Sequence, residues 1–182
     1  LLTIGIGKEM TAIGIIGGSG IYDIPLIKEF EEVDITTPFG KPSDTIKIGK
    51  LNDNTKVVFL PRHGRGHRLS PSEIPFRANI FAMKQLGVKW LISVSAVGSL
   101  KENIHPGDFL IPDQFIDRTY KREQSFFTDG IVGHVSVADP VCPVLADLVA
   151  KTAQSCDITT HPKGTYICME GPAFSTRGES YM

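Results

Sequence analysis

The sequence predicts an α/β layered fold in which a central sheet is flanked by helices. Three observations carry this. Short apolar runs that stop at glycine, serine or proline alternate with segments of helical period. At 182 residues with 41% hydrophobic content, the chain is long enough for one real core and short for two. No repeat, low-complexity tract or linker divides it, so a single domain is expected.

The elements follow in order. Ile13–Ile16 is an apolar run entering Gly17-Gly18-Ser19-Gly20, which reads as a buried strand leading into a tight loop. Ile46-Lys47-Ile48 and Val57–Leu60 read as strands joined by a turn at Asn52-Asp53-Asn54. Phe76, Ile80 and Met83 recur at helical spacing ahead of Gly87, a natural C′ residue, so Pro75–Leu86 is expected to be a helix. Trp90–Val94 is a core strand that ends at Ser95-Ala96-Val97-Gly98-Ser99. Phe109–Ile111 is a strand halted by Pro112. Val144, Leu145, Leu148, Val149 and Thr152 mark a second helix, and Thr165–Met169 a last strand. Between them, Asp117–Asp139 is polar and without period; so long an excursion in a small domain is more often a functional loop than filler.

Composition narrows the function classes. A net charge of −1 gives no electrostatic reason to expect nucleic acid or an anionic membrane as partner. No apolar run approaches the roughly 20 residues that span a bilayer. Lys8 and Glu9 interrupt the stretch a secretory leader would need, so a cytoplasmic location is expected. Cys142, Cys156 and Cys168 have no C-x-x-C spacing and read as buried, reduced thiols, with no metal site. Leu1–Glu9 precede the first methionine, Met10, and read as a non-native or disordered extension. Arg177–Met182 stops without a cap or polar tail, which reads as a truncation.

Several strand exits carry candidate chemistry. Gly17–Gly20 exposes backbone amides and the Ser19 hydroxyl to an anion, although by itself it reads first as a tight structural turn. It matches neither the G-x-G-x-x-G dinucleotide fingerprint nor the G-x-S-x-G nucleophile elbow, which leaves a dinucleotide-dependent oxidoreductase a distant alternative. Arg62-His63-Gly64-Arg65-Gly66-His67-Arg68 places guanidinium and imidazole groups among glycines directly after a strand. Arginine's donor fork fits phosphate oxygens and glycine lets the backbone approach, so this segment is expected to bind an anion rather than to be a merely solvated loop. Ser95–Ser99 repeats the small-residue pattern more weakly. In Glu170-Gly171-Pro172-Ala173-Phe174-Ser175, Phe174 is either core or a stacking platform for a flat ring, with Ser175 at that ring's edge.

Taken together, these segments resemble the homotrimeric purine nucleoside phosphorylase family and, within it, the methylthioadenosine phosphorylases. The matching stretches are Ile13–Gly20; Thr37–Asp44; Arg62–Arg65 with His67; Gly107-Asp108 with Asp113–Thr119; and Glu170–Pro172 with Phe174-Ser175. They stand in the family's order over residues 10–182, which are therefore expected to form one nucleoside phosphorylase domain, a layered fold around a mixed sheet with its C-terminal part missing.

The resemblance implies phosphorolysis: inorganic phosphate attacks the anomeric carbon of a purine nucleoside and releases a free base and a sugar 1-phosphate, with no covalent enzyme nucleophile, metal or organic cofactor. It implies Ser19, Arg62, His63, Ser95 and Ala96 as the phosphate site, Ala96 through its backbone amide. His67 is implied as a supporting group near phosphate or ribose, Phe174 as a wall of the purine pocket, and Ser175 as a group at the base edge. His134 matches a position that enters the 5′ pocket of a neighbouring subunit of a homotrimer. Serine at 175, where 6-oxopurine enzymes typically carry glutamate, favours 6-aminopurines, because adenine has no N1 proton for a carboxylate to accept. Methylthioadenosine is then the expected substrate; inosine, guanosine or methylthioinosine is the alternative, and an inactive fragment is an alternative of another kind. Ala173 and Gly178 depart from the commoner residues, and glycine at 178 weakens a helix start by about 1 kcal/mol.

Overall fold

The computed structural model describes residues 12–18, 27–51 and 55–182, and its contacts divide the chain into two units, Leu1–Ser95 and Ala96–Met182. The expected extension at residues 1–9, the loop serine Ser19 and the turn Asn52-Asp53-Asn54 lie outside the described residues.

The first unit is built on a mixed, five-stranded sheet in the order β2-β3-β4-β1-β5. Its strands are β1 (Ala12–Gly17), β2 (Lys28–Val33), β3 (Ile46–Lys50), β4 (Lys56–Pro61) and β5 (Val88–Val94). β1 runs parallel to both β4 and β5, whereas β3 runs antiparallel to β2 and β4. The unbroken apolar run Val57–Leu60 is what a strand covered on both faces needs, and all of these residues are at most 2% exposed. Ile16, Ile46, Val58 and Leu60 form the core with Ala82 and Met83 of α1 (Phe76–Gln85).

The helix ends as its sequence predicts, with Gly87 at φ +80° just beyond the Leu86 cap. Its buried face differs from the expected Phe76-Ile80-Met83 stripe. Ala78, Asn79, Ala82 and Met83 face inward, while Ile80 is 40% exposed. Small alanines let the helix lie close to the sheet, and the buried Asn79 has a specific use. Its carboxamide oxygen accepts from the Ser43 backbone N–H at 2.8 Å, and its amide nitrogen donates to Ser43 Oγ at 2.8 Å. Phe39 packs edge-on against Phe81 of the helix, with ring centroids 5.5 Å apart. The Thr37–Asp44 segment is thereby fastened to α1.

The second unit contains two parallel strand pairs. β6 (Phe109–Leu110) pairs with β8 (Thr160–His161), and β7 (Gln114–Arg118) pairs with β9 (Thr165–Met169). Its helices are α2 (Pro143–Ser155) and the short α3 (Arg177–Tyr181). Asp108 secures the β6–β8 pair: it accepts from His161 Nε2 at 2.8 Å and from the His105 backbone N–H at 2.9 Å. The His161 bond first, then the His105 N–H, hold its carboxyl below the usual carboxylate range. Despite Gly178, α3 starts with a full capping box, in which Thr176 and Glu179 satisfy each other's backbone N–H groups.

This unit buries little. Ala150 is its one fully buried apolar residue among those described, while the adjacent β7 residues Phe115 and Ile116 are 47% and 50% exposed. The expected α2 stripe is likewise only partly covered, with Val144 and Leu148 exposed. The cysteines expected to be buried are not: Cys142 and Cys156, at the ends of α2, are exposed and Cys168 is half-buried. Among the described residues no helix is long and apolar enough to cross a membrane.

Replacing Asn79 by alanine leaves the buried Ser43 N–H without its acceptor. It should lower stability by about 2 kcal/mol, read as a reduced urea midpoint at unchanged slope; an unchanged midpoint would show that the Ser43–Asn79 bridge contributes nothing.

Candidate functional site

Parallel strands leave their loops at one edge, and in open α/β sheets ligands bind beyond the carboxyl ends. Here β4, β1 and β5 end level: Gly17 of β1 pairs with Pro61 of β4 on one side and with Val94 of β5 on the other. Arg62 is the first residue after β4. Its backbone N–H donates to the Gly17 carbonyl at 3.0 Å, and its guanidinium Nη1 donates to the Val94 carbonyl at 2.7 Å. A Cβ built on Gly18 would stand 3.4 Å from Nη2. The Arg62 side chain thus spans the end of β1 and reaches the end of β5, directly before Ser95.

The other basic groups of the segment are divided by their partners. Arg65 makes a two-pronged ion pair with Glu32, with Nη1–Oε1 at 3.2 Å and Nη2–Oε2 at 3.1 Å, and its Nε lies 3.5 Å from Asp44. Arg68 donates to the Ser43 carbonyl at 2.6 Å and lies 3.9 Å from Asp44. Asp44 also accepts from the backbone N–H groups of Arg65 and Thr45. Burial alone would raise the Asp44 pKa; those N–H groups, with the charges of Arg65 and Arg68, outweigh it and hold the carboxyl below its ordinary range. Arg62, by contrast, has no carboxylate partner among the described residues. Of the three arginines, it is the one not paired with a carboxylate among the described residues.

His63 is buried, and its Nδ1 lies 2.9 Å from the Leu69 carbonyl. A carbonyl only accepts, so Nδ1 carries the proton. His67 stacks on it with ring centroids 4.2 Å apart. Glycine is required at 64, where φ is +71° and a Cβ would meet the Arg68 guanidinium at 2.9 Å and the Ser43 carbonyl at 3.1 Å. Arg62, His63, His67 and Ser95 therefore belong to one unit, gathered around one sheet edge.

Ala96, His134, Phe174 and Ser175 belong to the second unit. Ala96 opens an exposed loop without regular structure. Phe174 is 95% exposed. Ser175 Oγ lies 2.8 Å from Ser180 Oγ, which itself donates to the Thr176 carbonyl at 3.0 Å. Either hydroxyl of the Ser175–Ser180 pair can be the donor. His134 sits in the long irregular segment. There the Phe127 ring occupies the space a Cβ at Gly133 would need, with contacts of 2.7 Å. Ile131, Val132, Val135 and Val137 around it are 64% to 82% exposed. Asp44, Glu32 and Asn79 have no role in the sequence reading; the one signal was for Asp44, the last residue of the matching stretch Thr37–Asp44.

The family model of the phosphorylase superfamily matches residues 12–182. The chain is 59% identical to the S-methyl-5'-thioadenosine phosphorylase of Saccharolobus solfataricus, covering 95% of this chain and 64% of that protein. It is 58% identical to that of Thermosynechococcus vestitus, covering 94% and 60%. Among solved structures, it is similar to a methylthioadenosine phosphorylase from an antarctic soil metagenomic library (TM-score 0.90, 53% identity, 95% of this chain and 61% of that one). The Schistosoma mansoni methylthioadenosine phosphorylase in complex with adenine is also similar, with a TM-score of 0.88, 37% identity and coverage of 94% and 69%. The chain spans less than two thirds of the curated relatives' length.

Because the folded pKa of Asp44 lies below its ordinary 3.8, its contribution to stability is complete above that pH and is lost as pH falls through the lower folded value. Stability measured by urea midpoint from pH 7 to 2 should therefore fall less steeply in Asp44→Asn, whose curve starts lower at neutral pH. Parallel curves for the two proteins would remove Asp44 from the account.

Proposed function

The chain belongs to the phosphorylase superfamily, and on that premise we propose that the intact protein cleaves 5′-methylthioadenosine with inorganic phosphate, giving adenine and 5-methylthioribose 1-phosphate. The observation that carries the reading is Arg62: a guanidinium without a carboxylate partner among the described residues, held over the level ends of parallel strands by Val94 O.

A phosphate held there by Arg62, His63, Ser95, the Ala96 amide and Ser19 (outside the described residues) would lie where it both supplies the attacking oxygen and stabilises the positive charge that builds on the ribose. Placement then does much of the catalysis. His67, stacked on His63, supports the phosphate or ribose. No covalent enzyme nucleophile, metal or organic cofactor takes part in this reading; phosphate is a co-substrate. Phe174, exposed and just beyond β9, is free to stack on a purine. A hydroxyl at 175 tolerates the unprotonated N1 and amino group of a 6-aminopurine, where a carboxylate would face a lone pair. The exposed apolar residues around His134 support a homotrimer in which His134 enters the neighbour's 5′ pocket. The intact enzyme is assigned to the cytoplasm.

Activity is assigned to the intact protein and not to these 182 residues alone, because the second unit leaves β7 and α2 uncovered. The isolated chain should elute in size-exclusion chromatography as aggregate; a stable trimer would reverse this. Supplied with methylthioadenosine and phosphate, the intact protein should release adenine, and release from inosine or guanosine alone would overturn the substrate assignment. Arg62→Ala should raise the KM for phosphate by roughly tenfold to a hundredfold, the equivalent of a charged hydrogen bond. Unchanged phosphate saturation would remove Arg62 from the anion site.

A further inference from the structure

β7 and β9 are paired in parallel from Gln114↔Thr165 to Arg118↔Met169, so the chain leaves both strands at the same edge. Their exits, residues 119–122 and 170–176, are tied together by two side chains. Glu170 is 6% exposed. Its carboxylate accepts from the backbone N–H of Tyr120 at 2.6 Å, from that of Lys121 at 2.9 Å, and from Arg122 Nε at 3.3 Å. Arg122, through Nη2, donates to the carbonyls of Met169 at 3.3 Å and Glu170 at 2.8 Å. One carboxylate thus gathers the donors of the first exit, and one guanidinium gathers the last carbonyls of the second. A buried carboxylate so held has little freedom, since releasing either partner strands a charge away from water.

The Glu170 carbonyl is the last backbone group before the chain turns at Gly171, whose φ is +74°. Wherever the Arg122 bond holds that carbonyl, the direction in which residues 171–176 depart is set. Phe174 and Ser175 follow within this segment and have no regular element of their own to fix them.

We propose that Arg122 and Glu170 are positioning residues that fix the path of the 171–176 loop and thereby set affinity for the nucleoside rather than for phosphate. This rests on the reading that Phe174 and Ser175 face the purine. The phosphate groups Arg62, His63 and Ser95 hang from a different sheet, so the two affinities should separate when the node is disturbed.

The test uses the intact protein with Arg122→Lys and, separately, Glu170→Gln. Lysine keeps a positive charge beside Glu170, but one ammonium cannot span a carboxylate and two carbonyls. Glutamine keeps the shape but turns an NH2 toward donors. In each variant the KM for methylthioadenosine should rise about tenfold while that for phosphate stays within about twofold, as expected when a reacting partner is misplaced rather than the fold lost. Amide hydrogen exchange at residues 173–176 should quicken while Val57–Leu60 stays protected. A proportional rise in both KM values, or an unchanged nucleoside KM with unchanged loop exchange, would overturn the proposal. If the unmodified protein releases no base from any purine nucleoside, the phosphorolysis reading fails instead, and exchange in the loop still decides whether the node holds it.

Discussion

The parallel pairing of β1 with β4 on one side and β5 on the other is the constraint on which the site in the first unit depends. It brings Gly17, Pro61 and Val94 to one level, so that loops far apart in sequence begin side by side. Only with that register does the Arg62 guanidinium meet the Val94 carbonyl. A slip of one residue would exchange the more and less buried faces of β1, and the alternating burial of β1 opposes it. Sheet register and site geometry are thus one property, fixed by apolar side chains that touch no ligand.

A second constraint passes from helix to loop. Asn79 of α1 anchors Ser43, Ser43 precedes Asp44, and Asp44 holds Arg65 and Arg68. Five basic or imidazole side chains within seven residues would repel one another and wander in solvent if left alone. Two carboxylates, Glu32 and Asp44, neutralise two of the arginines and shape the turn. The remaining guanidinium, Arg62, has no carboxylate partner among the described residues and bonds the Val94 carbonyl.

Strands and helices whose pattern is set by burial were legible in the sequence. Val57–Leu60 and Thr165–Met169 read correctly because continuous apolar runs have few other uses, and Gly87 closed α1 as expected. β2 was not legible, because Lys28–Val33 carries acidic and basic residues on an outer strand paired only with β3 among those described. β7 was not legible, since Gln114–Arg118 is exposed throughout, shows no alternation to read and overlaps the irregular segment from Asp117. β8, at two residues, is too short to have a period. The helix face was misread for a different reason. Periodicity weighs large residues such as Ile80, whereas close packing on the sheet selects alanines and one asparagine with a buried partner. At the site, the cluster of basic residues was visible in the sequence. Which arginine lacks a carboxylate partner among the described residues was not, because that depends on Glu32 and Asp44, up to 33 residues distant.

Both units place an arginine at the carboxyl end of a strand to which it does not belong, and the comparison separates their roles. Arg62 donates to Val94 O, and Arg122 donates to the carbonyls of Met169 and Glu170. Carbonyls at such an end attract a cation in either case. The difference lies in the carboxylate. Arg122 faces Glu170, so its charge is cancelled where it is buried and its hydrogen bonds serve geometry. Arg62 faces no carboxylate among the described residues, and its guanidinium bonds the Val94 carbonyl. The same residue type at the same kind of strand end is therefore paired with a carboxylate in one unit and, among the described residues, not in the other, and the difference is one acidic side chain.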